Sequence, residues 1–181
     1  VKHNGFDDII VGMKKNIIFV TGFIGSDRAG LARQMAAQNR MEYVSLDQEI
    51  EAKDGRSVRR IAMAMGEHEV RNKEYEALKD LLDRTEKSTG ESEADWRGFV
   101  VACSDGIVLD DECLALLSEG QVVIADETLP PEQLWEQAKA DPNPTYAFLS
   151  ASLSDEDEVD KYQRYLALYQ ARAPIYRRIS K

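Results

Sequence analysis

Cysteine and histidine are scarce, with two of each in 181 residues. Cys103 and Cys113 have neither metal-ligand spacing nor the density of a disulfide scaffold, which implies a reducing, cytoplasmic setting. No apolar run approaches the ~18 residues that a spanning helix needs. Basic residues are in deficit too: 23 Lys and Arg stand against 33 Asp and Glu, a net charge of −10. Nucleic acid and anionic lipid both call for a basic face, so neither is an expected partner. With 43% hydrophobic residues the chain is neither collagenous nor disordered, and its length suits one domain with an appended arm.

Residues 1–15 read as that N-terminal arm, carrying Ile9, Ile10 and Val11; the apolar stretch is too short and too acidic in its approach for a signal peptide. Residues 16–181 form the domain. Asn16–Thr21, Met41–Ser45, Phe99–Cys103 and Gln121–Ala125 are short apolar runs of strand length. Helical spacing follows the first run through Leu31, Met35 and Ala36. Asp47 reads as the N-cap of a helix over DQEIEAKDG. Ser57–Arg84 reads as helical with a break at Gly66, and Asp110–Glu119 as a short helix capped by Asp110 or Asp111. Pro131 fits the first turn of PEQLWEQAKA, and a last helix is predicted over Val159–Arg172. The acidic run 154–158 reads as the start of that helix. Thr85–Gly98 and Asp141–Asp157 are polar, turn-rich loops, the second a candidate mobile segment. Strands alternating with helices imply a parallel sheet covered on both faces. Cys103, Trp96, Trp135, Tyr162, Tyr165 and Tyr169 read as packing residues, and His68 as an exposed helical one.

A buried strand that passes through a glycine loop into a helix is a place where such sheets hold phosphate, on the free N–H groups of the helix start. The working motif, G-x-x-x-x-G-K-[S/T], wraps phosphate with glycine backbone, neutralises it with Lys and holds Mg²⁺ with a hydroxyl. The corresponding stretch here is Gly22-Phe23-Ile24-Gly25-Ser26-Asp27-Arg28-Ala29. Asp27 replaces the second glycine, Arg28 the lysine and Ala29 the hydroxyl. A carboxylate about 5 Å from a phosphate charge, at an effective dielectric near 20, repels it by roughly 3 kcal/mol. Asp27 is expected to cap the helix and fill the anion site itself.

With the stretches GFIGSDRAGLARQMA, EYVSLDQEIE, GEHEVRNKEYEAL, VVACSDGIV and RAPIYRRI, the chain resembles the shikimate kinase family from about Asn16 to Tyr176. The resemblance implies an α/β fold of the P-loop kinase type: three layers, a central parallel sheet of four to five strands, and a lid over about 141–157. It implies ATP and Mg²⁺ at Gly22, Gly25, Ser26, Asp27, Arg28 and Ala29, with Arg28 at the catalytic lysine's position. It also implies a substrate pocket at Asp47, Arg71, Gly106 and Arg172. The residues themselves allow other roles: a helix cap for Asp47, an ion pair with Glu67 or Glu74 for Arg71, a helix C-terminus for Arg172.

The nucleotide half departs from the family at further points. Ser45 stands where the family has a metal-associated Asp, Ser104-Asp105-Gly106 where it has three glycines, and Asn143-Pro144 where it has Arg-Pro. The chain ends about where the family has a fifth strand, which RRISK would begin. The expectation is a protein impaired in phosphoryl transfer that still binds shikimate or a similar polyhydroxy carboxylate, its own cofactor left open. An active kinase and a protein-interaction scaffold with an unknown partner are the alternatives.

Overall fold

The computed structural model describes residues 15–88, 97–142, 144–150 and 157–180. Its first strand, β1 (Ile17–Thr21), is buried along its whole length, as a strand covered on both faces must be. The chain continues through α1 (Arg28–Asn39), β2 (Glu42–Ser45), α2 (Leu46–Asp54), α3 (Val58–Met65) and α4 (Glu67–Ser88). Then come β3 (Phe99–Ala102), α5 (Asp111–Leu117), β4 (Gln121–Ile124), α6 (Pro131–Ala140) and α7 (Glu158–Ile179). Two 3₁₀ turns, Gly106–Leu109 and Ala147–Leu149, follow β3 and α6.

The four strands are parallel in the order β2-β3-β1-β4. Ile18 of β1 sits opposite Val100 of β3 on one side and Gln121 of β4 on the other. Alternation along the strands divides the core in two. Ile17, Phe19, Val44 and Val101 pack with Leu78, Leu81, Leu134 and Tyr165, whereas Ile18, Val20, Val100 and Ala102 pack with Ala32, Met35 and Ala36 of α1. That is the expected three-layer α/β arrangement. Because β1 leads by α1 to β2 on the far side of β3, the loops after β1 and β3 open together at the C-terminal edge of the sheet, where open α/β sheets bind ligands.

Capping explains most helix starts. Asp27 accepts from Gly30 N at 2.8 Å, as expected, and Asp110 from Cys113 N at 2.8 Å. Pro131 occupies the first turn of α6. Asp47 is not a cap: Ser45 Oγ accepts from Gln48 N, and Asp47 falls in the first turn of α2. Thr85 does not open a loop; it is buried on α4, which continues to Ser88.

The largest difference is at the end, where α7 runs on to Ile179. Pro174 removes one helical hydrogen bond, but it sits on an exposed face of the helix. Two residues on, Tyr176 is buried against Phe23, which holds the helix past the proline. Residues 177–179 therefore continue a helix and start no strand.

Trp135 packs against Tyr162 and Tyr165, and Tyr165 is fully buried while Tyr162 and Tyr169 are half-buried. His68 is exposed on α4. The arm up to residue 14, Trp96, Asn143 and residues 154–156 of the acidic run lie outside the described residues. No helix among the described residues is long and apolar enough to cross a membrane.

Candidate functional site

Two cavities among the described residues meet between the loops after β1 and β3 at the C-terminal edge of the sheet. The smaller, about 200 Å³, lies between β2, α2, α3, α4 and the loop after β3. The larger, about 640 Å³, lies between the loop after β1 and α6. Ser26, Asp27, Arg28, Asp105, Thr145 and Tyr146 line both and form the wall between them.

The loop after β1 is shaped by close approach. A Cβ on Gly22 would lie 2.6 Å from Ser26 Oγ and 2.8 Å from the Ala125 carbonyl oxygen. Gly25 has φ +95°, and a Cβ there would lie 2.0 Å from the Leu134 carbonyl oxygen, so only glycine lets the loop pass under α6. Ser26 Oγ turns back to donate to the Phe23 carbonyl at 2.7 Å. At the start of α1 the Asp27 N–H donates to Asp126 Oδ2 at 2.8 Å. Asp126 reaches it from just beyond β4, on a left-handed backbone with φ 53°. Arg28 folds back, Nη1 donating to the Gly22 carbonyl at 3.1 Å and lying 3.4 Å from Asp105 Oδ1. Ala29 lines the smaller cavity and has no side-chain oxygen to offer there.

Asp47 and Arg71 share the smaller cavity. Asp47 faces into its open space, yet the enclosing walls push its carboxyl above the usual range; Arg28 and, more weakly, Arg71 pull it down, while Glu51 and Asp105 push it further up. Arg71 Nη1 donates to Ser104 Oγ at 3.2 Å and lies 2.9 Å from Glu74 Oε2. A Cβ on Gly106 would lie 2.6 Å from that same Nη1, so the glycine is where the guanidinium rests on the loop. Arg71 Nε is buried without a hydrogen-bond partner among the described residues. Glu74, fully buried behind it, is pushed up to about 7 by burial, against the pull of Arg71 and Ser104.

Arg172 stands apart from both cavities. It is buried in the middle of α7, not at a helix end, and Nη1 donates at 2.8 Å to Asp105 Oδ2 and at 2.8 Å to the Tyr146 hydroxyl. That hydroxyl donates in turn to Asp105 Oδ2 at 2.6 Å. Burial and the Asp105 carboxylate raise the Tyr146 phenol far above its ordinary range, which keeps it a donor. The Tyr176 hydroxyl donates to the Asp105 backbone carbonyl.

The fold thus brings Gly22, Gly25, Ser26, Asp27, Arg28 and Ala29 together at one rim. It places Asp47, Arg71 and Gly106 at the other, and seats Arg172 behind Asp105. Sequence reading missed Asp126, Tyr146 and Tyr176, whose partners lie far along the chain. Cys103 and Cys113 are buried free thiols, both pushed up by desolvation. Among the described residues no group of three His, Cys, Asp or Glu side chains is placed to hold a metal ion.

Comparison with known proteins points the same way. A bifunctional shikimate kinase/3-dehydroquinate synthase of Thermotoga maritima is 32% identical over 127 residues, 70% of this chain and 23% of that protein. A shikimate kinase of Aromatoleum aromaticum is 27% identical over 164 residues, 91% of this chain and 81% of that one. The chain thus spans under a quarter of the first relative's length. In fold it is similar to shikimate kinase from Acinetobacter baumannii in complex with shikimate, with a TM-score of 0.68, 23% identity, and coverage of 91% of this chain and 79% of that one. The sequence model described as shikimate kinase matches residues 25–181, which takes in every element from the end of the β1 loop to the last helix, and the chain belongs to the shikimate kinase family.

Proposed function

We propose that this protein binds a small polyhydroxy carboxylate of the shikimate type in the smaller cavity and does not transfer the terminal phosphoryl group of ATP to it. Asp47 accepts from ligand hydroxyls, and Arg71, held against Gly106 and Ser104, takes the carboxylate. The relative in complex with shikimate supports the ligand class.

The observation that carries the impaired half is the Asp126 carboxylate on the Asp27 N–H. In a working loop that N–H points at phosphate. Here a protein acid takes it, with Asp27 itself capping the same helix. Each of these carboxylates repels an incoming phosphate charge about 5 Å away by roughly 3 kcal/mol at an effective dielectric near 20. Arg28 is turned to Gly22 and Asp105, Ala29 has no metal-binding oxygen, and Ser45 Oγ caps α2. These residues do not fit ATP with Mg²⁺. Phosphoryl transfer rests on positioning and charge neutralisation, and these are the parts the loop lacks.

The test is a coupled assay for ADP release with shikimate, ATP and Mg²⁺, beside calorimetric titration of shikimate alone. The expected result is no turnover above background and saturable shikimate binding. Turnover that requires all three components overturns the impaired half and favours an active kinase. Absence of binding at millimolar shikimate overturns the ligand and favours a protein-interaction scaffold.

A further inference from the structure

Arginines from two separate elements converge on one buried carboxylate. Arg172 of α7 reaches Asp105 Oδ2 at 2.8 Å, and Arg28 of α1 reaches Oδ1 at 3.4 Å. The Tyr146 hydroxyl also donates to Oδ2, at 2.6 Å, and its ring lies 5.5 Å from the Arg172 guanidinium. Asp105 is 6% exposed and Arg172 7%. Two guanidiniums and a phenol meeting at one point are a donor set suited to a small oxyanion. Asp105 stands in the wall between the two cavities and lines both, so a ligand's anionic group could reach the same point from either side. Its backbone is anchored independently, since Tyr176 holds the carbonyl.

From this geometry we propose that Arg28, Arg172 and Tyr146 form a seat for a small oxyanion, and that Asp105 fills the seat from within and thereby excludes free carboxylate and phosphate. Asp105 is then a specificity residue. Its one carboxylate occupies the point where the donors of both arginines meet, so a ligand entering the smaller cavity meets Arg71 instead. The inference goes beyond the ligand of the Arg71 cavity and does not require it.

The test is chemical rescue. Asp105→Gly removes a side chain whose missing part matches acetate, and it leaves Arg172 buried without its counter-charge. The variant is expected to melt below the wild type in chloride. Acetate or inorganic phosphate at about 100 mM is expected to raise its melting temperature by about 5 °C or more relative to chloride of equal ionic strength, because an anion that binds only the folded state stabilises it by mass action. The two anions report separately on carboxylate and phosphate. The wild type is expected to show no such rise, and the double variant Asp105→Gly/Arg172→Met to lose it. A variant unfolded in chloride that folds on adding either anion gives the same answer. A rise equal to the wild type's, a rise that persists without Arg172, or a variant unfolded in every buffer overturns the proposal.

Discussion

Glu74 lies fully buried on α4, one helical turn from Arg71, and its carboxyl titrates near 7 where an exposed glutamate titrates at 4.5. Desolvation is the main cause; Asp47 and Asp105 add to it, and Arg71 and Ser104 offset only part. Between those two pH values the folded protein keeps a proton that the unfolded chain has released. Stability therefore falls as the pH rises through that window, and it is level above about 7. The window is roughly two and a half pH units at about 1.36 kcal/mol each, so this one group makes the fold about 3 kcal/mol less stable at pH 8 than at pH 4.5. Glu74→Gln keeps the shape and cannot ionise. Urea unfolding of wild type and variant at half-unit steps should give a wild-type curve that drops by about 3 kcal/mol relative to the variant's as the pH rises through the window. Groups titrating elsewhere cancel in the difference, as does any fixed cost of leaving Arg71 without its partner. A difference that stays constant with pH would refute the reasoning, because it would mean that Glu74 ionises at the same pH in the folded protein as in the unfolded chain.

Three further outcomes follow from the same geometry. Gly25→Ala should lower stability by more than about 2 kcal/mol in urea unfolding, because the position is left-handed and the new methyl group meets the Leu134 carbonyl. Tyr165→Phe removes a buried hydroxyl that donates to the Ile24 carbonyl at 2.8 Å; the orphaned carbonyl should cost about 1–2 kcal/mol, read as a lower urea midpoint at unchanged slope. Arg71→Ala should weaken shikimate binding by about 30-fold in calorimetry, the worth of a charge-assisted contact of roughly 2 kcal/mol, while unfolding remains cooperative.

Much of this architecture was legible because its signals are local. The four strands are short apolar runs whose alternation divides the two cores, and Asp27, Asp110 and Pro131 mark helix starts by side-chain chemistry acting within three residues. The errors also have a local origin. Ser45 and Asp47 are both good caps two residues apart, and spacing alone does not choose between them; the end of β2 does, by turning the chain at Ser45. The last helix is predicted to end at Arg172, two residues before Pro174, and a proline's cost is local, whereas what carries α7 past it, Tyr176 packed on Phe23 and bonded to the Asp105 carbonyl, joins residues far apart in the chain.

The candidate site divides along the same line. That the loop after β1 carries an aspartate in place of a glycine and an arginine in place of its lysine is plain from eight consecutive residues. That a second acid closes on it is not, because Asp126 and Asp27 are 99 residues apart and meet only through the pairing of β1 with β4. Arg172 shows the limit most clearly. The family resemblance of RAPIY implies that it joins Asp47 and Arg71 as a ligand contact, and α7 does bring it to the sheet edge. Yet the residue that decides what it can bind is Asp105, 67 positions earlier, in a loop where the sequence showed a lost glycine and the fold shows a gained counter-ion. A retained residue type is therefore weak evidence of a retained contact: the guanidinium is still there, and its partner has become part of the protein.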